Sequence, residues 1–273
     1  MHKVEGVGIN PTLSYSLDDG ETWTTTTISS NKSFGTINTG QKIIFKGTNA
    51  TFASAWNAYN CFNPSKQFKV YGNIMSLFNG DNFKTNYEFN NTTHQCAGLF
   101  RTVNLVDASN LILPALTLYS SSYNGMFRGA TALQHGPQML ATTPAYESCS
   151  SMFEGCINLE EPIEINFTTL AQQCCMRMFL MNRNSKITTP KMTKSPILRC
   201  ANAAQDCYKE MFKGNGNLVE VTCLLYNIFG TVDWLTNCSD TGTFKRLSNS
   251  NWATGTTSGI PSGWTVVDYV ESS

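Results

Sequence analysis

Charge is scarce in this chain: Asp, Glu, Lys and Arg make up 14% of its 273 residues, against about 25% in ordinary soluble domains. Thr, Ser and Asn supply most of the polarity instead, and such an uncharged polar surface suits a protein exposed outside a cell or on a virion. Basic and acidic residues balance at 19 each, and no run of five or more Lys/Arg occurs, so the electrostatic footprint of a nucleic-acid binder is missing. No apolar stretch reaches the ~18 residues that cross a bilayer, and no membrane insertion is expected. Met1 to Gly6 contain neither the apolar core of a signal peptide nor a lipid-anchor cysteine. Assembly in a reducing cytoplasm and release by lysis is the matching expectation.

Chemistry-bearing groups are equally sparse. His2, His94 and His135 are scattered, there is no Cys-x-x-Cys pair, and no metal or cofactor is expected. Nucleophile-elbow, metalloprotease and phosphate-loop motifs are all missing. Asp18, Asp19 and Glu21 carry the oxygen ligands calcium favours, but a hydrogen-bonded hairpin turn explains them more economically. Glu160, Glu161 and Glu164 are close neighbours in sequence, whereas a glycosidase needs two carboxyls about 5–10 Å apart across a cleft. A Cys/His pair built on His94 or His135 would depend on convergence in space. The chain is therefore expected not to be an enzyme.

What the sequence does have is a repeat. Cys96-Ala97-Gly98-Leu99-Phe100, Tyr123-Asn124-Gly125-Met126-Phe127, Cys149-Ser150-Ser151-Met152-Phe153, Cys175-Met176-Arg177-Met178-Phe179 and Tyr208-Lys209-Glu210-Met211-Phe212 align, and Ile74 to Phe78 reads as a partial copy. The anchors Phe100, Phe127, Phe153, Phe179 and Phe212 lie 27, 26, 26 and 33 residues apart, mostly within the ~20–29-residue period of leucine-rich repeats. Apolar residues four before, one before and at the anchor predict one face of a short helix, buried against the next copy. Gly129, Gly155 and Gly214, two residues past their anchors, supply a positive φ that ends the helix. Pro114, Pro137, Pro162 and Pro190 then favour short extended segments. One repeat thus reads as strand, turn and short helix.

The flanks differ. Leu13 to Leu17 and Trp23 to Thr27 predict a hairpin about Asp18-Asp19-Gly20-Glu21, with further strands at Lys42–Lys46 and Gln67–Tyr71. Past residue 226 the repeat signal stops, and Trp234, Phe244, Trp252 and Trp264 suit a cap that ends in a strand at Gly263–Val267. The fold class expected is α+β. It comprises an N-terminal antiparallel, sandwich-like β-domain over 1–72, a leucine-rich-repeat-type solenoid of about five repeats of 26–27 residues over 73–225, and a C-terminal cap over 226–273.

The pattern Cys-Tyr-x-x-Met-Phe-x-Gly-Cys-x-x-Leu, fullest at Cys149–Leu159 and Cys207–Leu218, resembles the BspA-like leucine-rich-repeat surface proteins of gut bacteria (Bacteroidales) and their phages. Ser16–Trp23, Lys69–Met75 and Gly259–Val266 are similar to the same family. The copy at Phe179 departs from it, with Met181 in place of glycine and Asn182 in place of cysteine. The resemblance implies adhesion or host recognition, with no catalytic residue to carry over.

The residues just after four anchors, Arg101, Arg128, Glu154 and Lys213, are the candidate binding set, an outer ladder where solenoids meet partners. The partners expected are a cell-surface glycan or protein receptor and, for a fibre or decoration component of a virion, other virion proteins; a homo-oligomer is compatible. Localisation is accordingly the virion surface or the bacterial surface. The ten cysteines fit this picture as packing groups, because Cys96, Cys149 and Cys175 hold the slot that Tyr123 and Tyr208 hold elsewhere. Thiol titration of freshly purified, denatured protein should find most of the ten free; complete pairing into disulfides would contradict the packing argument.

Overall fold

The computed structural model describes residues 1–4 and 8–271. The N-terminal part holds two small antiparallel sheets. β1 (His2–Lys3) begins one, while β2 (Thr12–Ser16) pairs with both β3 (Thr24–Thr27) and β4 (Ile44–Lys46) in the other. The β2–β3 connection is the expected turn, with Asp19 and Gly20 at φ 60° and 97°. The Asp18 carboxylate accepts hydrogen bonds from Ser16 and Thr22, and those from Thr22 above all hold its pKa down to about 2. Its oxygens are thus occupied by turn donors. β5 (Ala53–Ala55) and β6 (Ala58–Cys61) complete the β1 sheet.

From there the chain winds as a mostly β solenoid of about six coils with very little helix. β7 (Phe68–Asn73), β8 (Leu105–Leu113) and β9 (Gln138–Met139) form one parallel sheet. β10 (Lys194–Leu198), β11 (Glu220–Cys223), β12 (Gly242–Arg246) and β13 (Trp264–Asp268) form another. The predicted strand at 67–71 exists as β7, but it pairs in parallel with β8 rather than with the N-terminal strands. Alternation of apolar and polar residues marks a strand without naming its partner. The predicted final strand is β13, and with β12 it carries the sheet into the segment read as a cap.

The segments predicted as short helices are a different structure, and the α+β reading yields to an almost all-β one. Among the described residues only α1 (Ser76–Asn79) is α-helical, followed by a 3₁₀ stretch at Gly80–Lys84. In the repeat segments, N–H donors alternate between two targets. Tyr123, Gly125 and Phe127 donate to Ser148, Ser150 and Met152 of the next coil, while Asn124, Met126 and Arg128 donate to carbonyls three residues back. Each segment is a ribbon of overlapping turns. The geometry needs a left-handed residue at every fourth position, and the pairs are His94/Gly98, Ser121/Gly125, Glu147/Ser151, Gln173/Arg177, Asp206/Glu210 and Asp233/Asn237. Each non-glycine among them costs about 1–2 kcal/mol of backbone strain. A helix would satisfy its donors internally and leave nothing to tie one coil to the next. The positions four before, one before and at the anchor are nevertheless buried, as in Cys149, Met152 and Phe153.

The anchors form a column through the solenoid. From Phe100 to Phe212, successive ring centroids are 5.6, 5.3, 5.5 and 5.7 Å apart, with interplanar angles of 17°, 1°, 5° and 3°. Coils about 4.8 Å apart set the scale of this repeat. The column starts earlier than the sequence suggests. Phe62 stacks 5.8 Å from Phe100 and its N–H bonds to Leu99, so the chain before residue 73 already builds a coil. The partial copy at Ile74–Phe78 is instead the α1 region, where Phe78 packs edge-on against Phe52 and Phe89. At the other end Trp234 meets Phe212 at 6.3 Å and stacks on Trp252 at 5.3 Å. The indole N–H groups of Trp234, Trp252 and Trp264 each reach a backbone carbonyl.

All ten cysteines are buried free thiols, and burial pushes Cys207 and Cys238 up to about 12. All but Cys61 fill the same core as the anchors. Truncating Phe127 or Phe153, both fully buried, leaves a void between two rings. Phe153→Ala should cost roughly 3–5 kcal/mol in urea denaturation, and Phe127→Ala a similar amount. A Phe153→Ala midpoint unchanged from the parent would contradict the column.

Candidate functional site

Two rows of positions repeat from ribbon to ribbon, and several of their members are buried. One is the second left-handed position of each ribbon, running Gly98, Gly125, Ser151, Arg177, Glu210; the other follows the anchors, running Arg101, Arg128, Glu154, Leu180, Lys213. The expected ladder is therefore broken by Leu180, and its members part company. Lys213 is consumed locally, its Nζ lying 3.1 Å from Glu210 and 3.0 Å from Asp233, while Glu210 also takes Arg177 at 2.5 Å. Arg101, Arg128 and Glu154 instead line one concavity of about 390 Å³.

The concavity exists because the repeat changes character at its fourth copy. Gly129 and Gly155 lie side by side along its lining, and a Cβ on Gly129 would meet nothing. Where the next glycine is expected stands Met181, and Leu180 to Asn184 rise as a wall. Asn182 shapes that wall by accepting the N–H groups of Asn184 and Ser185 on its Oδ1. Its backbone rests on Gly214, where a Cβ would fall 2.3 Å from the Asn182 oxygen. Glycine at 214, with φ 84°, is thus both a conformational and a steric requirement. The wall adds Arg183, which the sequence reading missed, although the irregularity at Met181–Asn182 and the 33-residue spacing marked the place.

Two guanidiniums therefore share one carboxylate, and a third lines the same concavity. Glu154 Oε1 accepts from Arg128 at 2.8 Å and lies 3.5 Å from Arg183, whereas Arg101 sits over the Tyr59 ring at 5.2 Å. Burial lowers the Arg128 pKa, with Arg101 and Arg183 acting in the same direction and Glu154 opposing them. It stays charged at neutral pH all the same, since guanidinium does not deprotonate in proteins. Glu154 is largely buried, and its Oε2 is shielded from solvent with no hydrogen-bond donor. An unmet acceptor of this kind costs about 1–3 kcal/mol.

Other candidate groups do not converge in this way. Glu160 pairs with Lys191 at 3.0 Å, and Glu161 and Glu164 are exposed. Cys61 lies 4.0 Å from His2, but burial raises the thiol to about 11 and keeps it protonated. A second concavity of about 610 Å³, between Asn166–Leu170 and Arg199–Ala203, holds one cation, already paired to Glu271 at 2.8 Å. Among the described residues no group of three or more His, Cys, Asp or Glu could hold a metal, and no helix is long and apolar enough to cross a membrane. Comparison with protein-family models, curated proteins and solved structures gives no match to this chain.

The seating of the wall is open to test. Gly214→Ala should displace Asn182 and cost about 1–3 kcal/mol of stability by chemical denaturation. A variant as stable as the parent would mean that the 181–184 wall does not rest on this glycine.

Proposed function

We propose that this chain is a non-enzymatic recognition protein that binds a cell-surface glycan or protein receptor through the outer rows of its solenoid. The observation that carries the reading is the surplus of cationic donors at Arg101, Arg128 and Arg183, which the single carboxylate of Glu154 does not neutralise. Elsewhere on the ribbons Arg177 is matched by Glu210. Arginine is also a poor general acid or base near neutral pH, so the chemistry suited to this concavity is binding. Solenoids carry broad surfaces of this kind, with insertions gathered on a binding face.

The display site we propose is a virion, as a fibre or decoration component, with a bacterial surface adhesin as the related alternative. Ten buried thiols suit a chain that folds in a reducing compartment, and the resemblance to BspA-like surface proteins supports both settings. Many copies on one particle would turn weak single contacts into firm adhesion.

A multimerised form of the protein should bind intact host cells or a glycan array saturably. The same preparation should leave glycosidase, esterase and protease substrates unchanged. Turnover of any of these, lost on substitution of Glu160, Glu161 or Glu164, would replace the recognition reading with an enzymatic one.

A further inference from the structure

We propose that the arginine-lined concavity is the site of an acidic sugar, a pyranose carrying a carboxylate such as a uronic acid unit of a surface polysaccharide. The proposal rests on the recognition reading above and supplies its ligand class. The first argument is charge. Glu154 Oε1 is shared by Arg128 at 2.8 Å and Arg183 at 3.5 Å, and Arg101 has only the Tyr59 ring beside it. The concavity thus holds a surplus of positive charge, carried by planar forks that match a carboxylate two bonds at a time.

The second argument is the polar rim. The side chains of Asn182 and Asn184 stand on the same rim as Arg183 and reach the surface. A sugar acid brings its carboxylate to the guanidiniums and its hydroxyls to these amides in one molecule.

Calorimetric titration of the full chain with oligogalacturonate and oligoglucuronate, beside neutral galactose and glucose oligomers, inorganic phosphate, sulfate and a short polyglutamate peptide, tests the assignment. The acidic oligosaccharides should bind, their neutral counterparts should not, and the other anions should bind more weakly. Arg183 and Arg101 take no part in the core, so Arg183→Ala and Arg101→Ala should keep the parent melting temperature while weakening the acidic sugar at least about tenfold. Asn184→Ala separates the sugar site from general anion attraction. It should weaken the acidic sugar and leave phosphate and sulfate unchanged, because it removes a partner for hydroxyls and no charge.

Acidic sugars that fail to bind, that bind no better than polyglutamate or sulfate, or that ignore both arginine substitutions would overturn the assignment. Cell binding that persists through Arg183→Ala and Arg101→Ala would overturn the site alone and leave the recognition reading intact. Parent protein that binds neither cells nor glycans would remove that reading too.

Discussion

The rest of this molecule depends on how its ribbons divide their backbone donors. Every second N–H, as at Tyr123, Gly125 and Phe127, is given to the neighbouring coil, and the intervening ones return to carbonyls three residues back. Backbone groups in a buried setting have to find partners, and this division satisfies the ribbon and the stack together. The left-handed residue at every fourth position is the condition for it. Strain at positions such as Glu147, Gln173 and Asp206 persists because the coils on either side fix the conformation. The phenylalanine column follows as a consequence, since identical positions in successive coils have to stack.

The same regularity disposes of most of the surface. Rows of equivalent positions repeat from coil to coil, and where charge falls on adjacent rungs it is used up, as between Arg177, Glu210, Lys213 and Asp233. A site needs a place where the repeat is interrupted. That place is Met181: with no glycine there, the chain leaves the ribbon, Asn182 seats on Gly214, and Arg183 is delivered beside Arg128. The residue that spoils the motif is the one that turns a row into a concavity.

The solenoid was legible because its period is written in side chains. Anchors, buried cysteine slots and the glycines after the anchors all sit where the alignment puts them. The backbone was not legible, because a helix face and a turn ribbon bury the same three positions, and only the second repays left-handed residues such as Glu210 or Gln173. Phe62 was hidden because the excursion through β5 and β6 separates it from Phe52, the other residue of its coil that bonds across, to Gln95. The last coil was hidden for another reason: Trp234 and Leu235 take over from a methionine and a phenylalanine. Of the candidate site, Arg101, Arg128 and Glu154 were found by their shared position. Arg183 belongs to no repeat position, and Lys213 has the right position but neighbours that neutralise it.

The pairing of one amide decides the account. In the deuterated, isotope-labelled protein, scalar coupling through the hydrogen bond of the Phe127 N–H can be read by nuclear magnetic resonance. The account predicts coupling to the carbonyl carbon of Met152, in the next coil, where the N–H meets its acceptor at 3.0 Å. Coupling to the carbonyl carbon of Tyr123, the acceptor four residues back that an α-helix would use, would contradict it.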